Sequence, residues 1–175
     1  MLIILLTACS ALFLVRTHGA WANTTLCSGV DYSTCTNAGY TDHGYGANNG
    51  NSYWGMYTGH NCTNYVAYVE QTVNGTPTPS YSLGNADTWY SRASAHGVAA
   101  NHTPAKGSTA WWGDAKWNGN SGHVAYVESV NSDGSITVSE DAYASGPFDW
   151  MVISPGSSRW PGGFIHFKDI PQDPI

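Results

Sequence analysis

The strongest constraint on the fold is a β-hairpin that the sequence predicts between residues 122 and 140. The segments GHVAYVESV and SITVSE both alternate between apolar and polar residues, and the tetrapeptide NSDG separates them. Alternation with a period of two predicts strands with distinct faces, and a short Asn/Asp/Gly-rich segment between two such runs predicts a tight turn. The chain is therefore expected to contain an antiparallel sheet in which these two strands are neighbours.

The apolar residues before the hairpin follow a helical period instead. A helix is predicted to begin at Cys62, because Asn61 is a suitable N-cap and apolar residues recur on one face. Those residues are Tyr65, Val66, Val69 and Val73. Asn85 is expected to cap a second helix over residues 86–95, which Gly97 ends.

Further strands are predicted over residues 108–112, 150–154 and 163–167. Helices followed by a meander of strands indicate an α+β fold, and a chain of 175 residues is long enough for one domain with a hydrophobic core. Charged residues make up only 10% of the chain and the net charge is −6. No basic patch is present, so nucleic-acid binding is not expected.

The first 22 residues are typical of a secretory signal peptide. The apolar run LIILLTACSALFLV is followed by Ala20-Trp21-Ala22, which has the small-x-small pattern of a cleavage site. A secreted protein without stable membrane insertion after cleavage is therefore expected. An alternative remains open, because Leu6-Thr7-Ala8-Cys9 is similar to a lipoprotein cleavage box.

Cleavage after residue 22 would leave three cysteines, Cys27, Cys35 and Cys62. Cys27 and Cys35 flank a short loop containing Gly and Ser, and we expect them to form a disulfide in an oxidising compartment. Cys62 then has no partner, so it is either buried or reactive.

The position predicted for Cys62 suits a nucleophile. The N-terminus of a helix carries partial positive charge and unpaired N–H groups, and it therefore stabilises a thiolate. The same N–H groups, including that of Cys62, can bind a developing oxyanion. The alternative is a core cysteine packed beneath the helix, and the helix prediction alone does not decide between the two.

His123, at the start of the first hairpin strand, is the candidate base. If residues 131–134 form a four-residue turn, Val130 pairs with Ser135, and the side chains of His123 and Glu140 point to one face as diagonal neighbours. A turn of odd length would place them on opposite faces. A carboxylate beside a histidine orients the ring and stabilises the imidazolium, as in a Cys-His-acid arrangement.

Two segments, GHNCTNYVAYVE and GHVAYVESVNSDGSITVSEDAY, resemble the CHAP domain, the cysteine- and histidine-dependent amidohydrolase/peptidase family. The resemblance covers roughly residues 53–168 and implies an α+β fold of the papain-like, NlpC-P60-like type, with helices packed on an antiparallel sheet. It also implies that Cys62 is the nucleophile, His123 the general base and Glu140 the orienting acid.

The resemblance suggests a division of the chain into segments. Residues 23–52 are expected to form an N-terminal extension with the disulfide loop, residues 53–168 the catalytic domain, and residues 169–175 a tail. Asn61 and Trp112 are further candidates for contacts with the substrate or oxyanion. The chain departs from the family pattern at Ala142, where many members have Asn, and at His60-Asn61, where many have Gly-Gln.

The activity that the resemblance implies is hydrolysis of an amide bond in bacterial peptidoglycan by a monomer without cofactor or metal. The sequence leaves open whether the bond joins muramic acid to L-Ala (amidase) or two amino acids (endopeptidase). Three rival functions are a catalytically inactive cell-wall-binding protein, a metal hydrolase and a transglutaminase-like acyl transferase. The spacing of the histidines and carboxylates lacks a zinc motif such as H-E-x-x-H.

Overall fold

The computed structural model describes residues 23–113 and 120–172. The predicted signal peptide, residues 1–22, and the last three residues of the predicted tail lie outside this part of the chain. Within the described residues, no helix is both long and apolar enough to cross a bilayer.

Three α-helices and seven β-strands make up the described fold, together with a short 3₁₀ turn at Tyr45–Ala47. The helices are α1 Tyr32–Asn37, α2 Cys62–Thr72 and α3 Ala86–Ala95. The strands are β1 Thr24–Gly29, β2 Ala99–Asn101, β3 Thr109–Trp112, β4 His123–Val130, β5 Ile136–Asp141, β6 Phe148–Ile153 and β7 Gly163–His166. One antiparallel sheet contains all seven, in the order β1-β6-β5-β4-β3-β7-β2. The predicted α+β class is confirmed.

Both long helices begin where the sequence predicted. The side chain of Asn61 accepts a hydrogen bond of 2.9 Å from the backbone N–H of Thr63, and α2 therefore starts at Cys62. Helix α3 spans Ala86–Ala95, the expected range. Each helix buries an apolar face, including Tyr65 and Val66 of α2.

The sheet is buried on both faces, and alternate residues of β4 belong to two different core clusters. Val124 and Tyr126 pack in the cluster that contains the buried residues of α2 and α3. Ala125 and Val127 pack in a second cluster on the opposite face, against which Trp160 from the β6–β7 connection also packs. By the same alternation, His123 lies on the second face, at the end of β4.

The hairpin corrects the predicted register close to the turn. Val130 pairs with Ile136 rather than with Ser135, so the loop contains five residues instead of four. A β-bulge at Glu128 adds one residue to β4, and beyond it Tyr126 pairs with Ser139, as the four-residue turn would have required. The bulge thus offsets the odd loop length, and the side chains of His123 and Glu140 still point to one face.

The N-terminal residues 24–29 form an edge strand that pairs with β6. The predicted disulfide between Cys27 and Cys35 is confirmed, with Cα atoms 5.5 Å apart. The bridge ties β1 to α1, and Cys35 is fully buried. Helix α1 is thereby fixed beside the sheet, where its first residue, Tyr32, reaches toward β5.

Candidate active site

A cleft of about 570 Å³ opens at the N-terminus of α2, and Cys62 lies in its wall. Cys62 is a free thiol with 6% of its surface exposed. The described residues that line the cleft are Gly55, Met56, Tyr57, Asn61, Cys62, Thr63, Ser82, Gly84, Asn85, Ala86, Ser121, Gly122 and Tyr143. The first turn of α2 therefore presents both a thiol and the start of a helix to the same cavity.

The His123 side chain links Cys62 to Glu140. Its Nε2 atom lies 3.0 Å from Oε2 of Glu140. The ring also lies close enough to Cys62 for the two side chains to interact electrostatically. The structure thus brings together the three residues for which the sequence predicted catalytic roles.

The position of His123 depends on Gly122, which has a φ of +69°. A Cβ atom at this position would lie 2.5 Å from the backbone nitrogen of Asp87 and 2.7 Å from the carbonyl oxygen of Trp112. The backbone at Gly122 therefore approaches α3 and β3 closely. Only glycine lets the start of β4 run between α3 and β3.

The electrostatics of the site favour a charged histidine. Burial alone would lower the pKa of His123, but the neighbouring charges of Cys62 and Glu140 and the hydrogen bonds to both raise it to about 10. Burial would likewise raise the pKa of Glu140, yet His123 and Arg159 together hold it below its usual value. The arrangement therefore favours the imidazolium form of His123 beside an ionised Glu140.

Arg159, from the β6–β7 connection, forms an ion pair with Oε1 of Glu140, the oxygen that His123 does not contact. No motif in the sequence marks this residue as part of the site. The carbonyl oxygen of Arg159 accepts a 3.0 Å hydrogen bond from Nε1 of Trp112, whose ring centroid lies 5.5 Å from that of His123. Trp112 is only 4% exposed. The structure therefore places this candidate substrate contact behind His123 and not among the described residues of the cleft wall.

A second polar cluster, unforeseen from the sequence, supports the other side of the site. The buried carboxylate of Asp141 accepts hydrogen bonds from the backbone N–H of Asn61 (2.9 Å) and the hydroxyl of Tyr32 (3.0 Å). Nδ1 of His60 lies 2.7 Å from its other oxygen. Asp141 follows the predicted site residue Glu140 in the chain, and His60 precedes the predicted site residue Asn61. This adjacency is the signal by which the sequence could have indicated the cluster.

The two departures from the family pattern have different structural consequences. Ala142 contributes a backbone N–H, which donates to the carbonyl of Pro147, but has no polar side chain near Glu140. Asn61 lines the cleft, and its side-chain oxygen accepts from both the N–H and the hydroxyl of Thr63. The oxygen of Asn61 is thus engaged in capping α2, and its predicted contact with the oxyanion stays a prediction.

A helix that begins at a cysteine and packs on an antiparallel sheet carrying a histidine defines the papain-like class of α+β proteins. Within this class, the family model of the CHAP domain matches residues 51–142, just over half of the chain. The protein therefore belongs to the CHAP domain family, as the sequence predicted.

Two of the proteins to which the chain is similar come from staphylococci. The chain is 38% identical over 112 residues to "Probable autolysin SsaALP" of Staphylococcus aureus, covering 63% of this chain and 40% of that protein. It is 37% identical over 126 residues to "Staphylococcal secretory antigen SsaA" of Staphylococcus epidermidis, covering 67% and 46% respectively. The chain thus spans less than half the length of these relatives.

A solved structure shares the fold. The crystal structure of an N-acetylmuramoyl-L-alanine amidase from Staphylococcus aureus superposes with a TM-score of 0.52 at 33% sequence identity. The match covers 62% of this chain and 31% of that one. The common part therefore makes up less than a third of the amidase chain.

Proposed function

We propose that this protein is a secreted peptidoglycan hydrolase that cleaves an amide bond through a thioester on Cys62. The observation that carries the proposal is the free thiol of Cys62 in the wall of an open cleft, close to a His123 side chain that is paired with Glu140 at 3.0 Å. Membership of the CHAP domain family supports it, as do relatives named as an autolysin and an amidase. The name "secretory antigen" carried by another relative supports export.

The reaction consists of two acyl transfers. The thiolate of Cys62 attacks the amide carbonyl carbon, and the N–H groups at the start of α2 stabilise the oxyanion that forms. His123 gives its proton to the leaving amine as the C–N bond breaks, and a thioester remains. Water then attacks the thioester while His123 accepts its proton, and cleavage of the C–S bond releases the acid and restores the thiolate.

The character of the cleft supports a small, uncharged scissile region. None of the described lining residues has a charged side chain, and glycine, alanine and serine form much of the wall. The rings of Tyr57 and Tyr143 also line the cleft and are largely exposed, at 78% and 64%. Exposed rings provide stacking surfaces for sugar or peptide. A bond between the lactyl group of muramic acid and L-Ala, or between small amino acids, fits such a cleft.

The test is release of soluble fragments from purified peptidoglycan. The protein beginning at Asn23 is compared with Cys62→Ala, and mass spectrometry identifies the new ends. We expect fragments from the wild-type protein alone. New L-Ala amino termini on free peptides would define an amidase, and new ends within the peptide would define an endopeptidase.

Two controls separate this function from its rivals. Activity that persists in a chelator excludes a dependence on metal, and release of fragments without an added amine acceptor excludes an obligatory acyl transferase. If neither protein releases fragments while both bind cell walls equally, the hydrolase proposal fails and a wall-binding protein remains.

A further inference from the structure

The carboxylate of Glu140 has two oxygens, and the structure engages them from opposite sides. His123 on β4 contacts Oε2, whereas the guanidinium of Arg159 pairs with Oε1. Glu140 is nearly fully buried. A buried carboxylate that accepts from a histidine alone would retain an unsatisfied oxygen, and this raises the cost of its charged form.

A second, half-buried acid increases that cost. Asp149 on β6 pairs directly with Glu140 in the β5–β6 ladder, so both side chains lie on the same face. Oδ1 of Asp149 has no hydrogen-bond partner among the described residues. Two neighbouring carboxylates disfavour each other's ionisation unless a cation lies close to them. Arg159 interacts electrostatically with both and is therefore placed to compensate this repulsion.

The backbone of Arg159 is held in place independently of this ion pair. Nε1 of Trp112 donates to its carbonyl oxygen at 3.0 Å. The backbone N–H of Trp160 donates to the carbonyl of Ser157 at 3.0 Å, which closes a turn around Arg159. The ring of Trp160 is anchored against Phe164, with centroids 5.9 Å apart. A fixed backbone reduces the entropy lost when the guanidinium binds Glu140.

We propose that Arg159 is a positioning residue that keeps Glu140 ionised and aimed at His123, so that the thiolate–imidazolium pair forms at lower pH. It acts through Glu140 and is not among the described residues that line the cleft. This inference rests on the proposed roles of Cys62, His123 and Glu140. At position 142 the chain has only the methyl group of an alanine, which cannot hold the Glu140 carboxylate. The guanidinium of Arg159, from the β6–β7 connection, performs this task instead.

The charged groups around Glu140 determine the expected pH dependence. Among the described residues, they are His123 on β4, Arg159 on the β6–β7 connection and Asp149 on β6, with Cys62 of α2 beyond the histidine. Loss of the Arg159 cation removes an attraction for the carboxylate form and leaves the repulsion from Asp149. Any process that needs the thiolate slows on the acid side of its pH–rate profile, and this acid limb should therefore move to higher pH. A purely structural role for Arg159 would leave the acid limb in place.

The experiment measures alkylation of Cys62 by iodoacetamide from about pH 4 to pH 9 in the protein beginning at Asn23. Cys62 is the free cysteine of that chain, so the reaction reports the thiolate without any substrate. The variants are Arg159→Met and Arg159→Gln, which remove the charge, and Arg159→Lys, which retains it. Lys168→Met is the matched control, because it removes an exposed cation near Gly75, beyond the end of α2 remote from Cys62.

We expect both neutral variants to shift the acid limb upward by about one to two pH units, as for loss of an opposite charge beside a carboxylate. Arg159→Lys should remain close to the wild-type protein, and Lys168→Met should coincide with it. In a Glu140→Gln background, Arg159→Met should produce no further shift, because the effect passes through that carboxylate. With peptidoglycan, the neutral variants should lower kcat and leave KM unchanged.

Coincident acid limbs in the wild-type protein and both neutral variants would overturn the inference. An equal shift for Arg159→Met in the Glu140→Gln background would also overturn it. Thermal unfolding of each variant tests whether it has the native fold. Two neutral variants are used so that the comparison remains possible if one of them does not fold. A shifted alkylation limb in a protein that releases no wall fragments would refute the proposed function while supporting the role of Arg159.

Discussion

Tyr32 and Asp141 are 109 positions apart in the chain, yet the tyrosine hydroxyl donates a 3.0 Å hydrogen bond to the aspartate. The ring of Tyr32 also stacks on His60, with centroids 4.7 Å apart and planes inclined by 2°. Asp141 in turn accepts from the backbone N–H of Asn61, the residue that caps α2. The disulfide-bound N-terminal helix thus contacts the segment that presents Cys62.

Asp141→Ala should lower both stability and activity. It leaves the Tyr32 hydroxyl, the His60 ring and the Asn61 N–H without their buried acceptor, at a cost of about 1–3 kcal/mol for each group that stays buried. Urea unfolding should therefore show a loss of roughly 3 kcal/mol or more. Because the start of α2 is no longer fixed, kcat on peptidoglycan should also fall.

Tyr32→Phe is the matched control for this network. It removes one donor and retains the stacked ring, so it should cost only about 1 kcal/mol. An Asp141→Ala protein as stable and active as Tyr32→Phe would show that the carboxylate does not support α2.

Gly122→Ala should displace the start of β4. Its Cβ would lie 2.5 Å from the backbone nitrogen of Asp87, and the φ of +69° disfavours alanine independently. The two effects together should cost roughly 3 kcal/mol or more in the free energy of unfolding. Since His123 is the next residue, fragment release should fall sharply as well.

Gly97→Ala isolates the steric part of this effect. Gly97 has a φ of +82°, but a Cβ there has nothing within 4 Å. This substitution should cost only about 1–2 kcal/mol, which is the penalty for the backbone conformation alone. Equal losses at the two positions would contradict the close approach at Gly122.

Glu70, buried on α2, should make stability depend on pH. Burial raises its pKa to about 8, although Thr76, Thr109 and Asn74 donate hydrogen bonds to it. In the unfolded chain its pKa is the ordinary value of 4.5. The folded state therefore holds the proton more tightly, so this contribution to stability is complete below about pH 4.5 and is lost progressively up to about pH 8.

Glu70→Gln should remove this dependence, because the amide does not titrate. Within the window, the wild-type protein should lose up to about 1.4 kcal/mol per pH unit relative to the variant. Urea unfolding of both proteins at several pH values measures this difference directly. Parallel stability curves would mean that Glu70 has the same pKa in the folded and unfolded states.

Removal of the disulfide should destabilise the N-terminal part of the fold. Cys27 and Cys35 are eight positions apart, and in the chain-entropy account a bridge of this span stabilises by roughly 2–3 kcal/mol. The double variant Cys27→Ser/Cys35→Ser should show this loss in urea unfolding. Dithiothreitol should lower the stability of the wild-type protein but not that of the double variant, and an unchanged wild-type protein would contradict the prediction.

The parts of the fold that the sequence predicted are those with a strong local signal. Asn61 marks the start of α2, and the alternation around His123 marks β4, so the helix boundary and the facing of His123 toward Glu140 followed from residues close in the chain. The bulge at Glu128 was not foreseen, because nothing in SITVSE or in GHVAYVESV shows which strand carries an additional residue.

Elements without such a signal were missed. Helix α1 has six residues, too few for a helical period, and β1 is an edge strand whose side chains do not alternate between buried and exposed. Strand β2 has only three residues. Arg159 lies in a connection 19 positions after Glu140, and the pairing of these two residues depends on tertiary structure alone.

The bulge also separates the active site from the tip of the hairpin. The pairing of Val130 with Ile136 and the bulge at Glu128 together set the register of His123 and Glu140, so residues added inside the loop leave that register in place as long as this pairing is kept. Loops of this kind tolerate insertion at modest entropic cost. The loop is consequently a site where a cell-wall-targeting module could be grafted, at Asp133-Gly134, without shifting the pairing that positions the catalytic histidine.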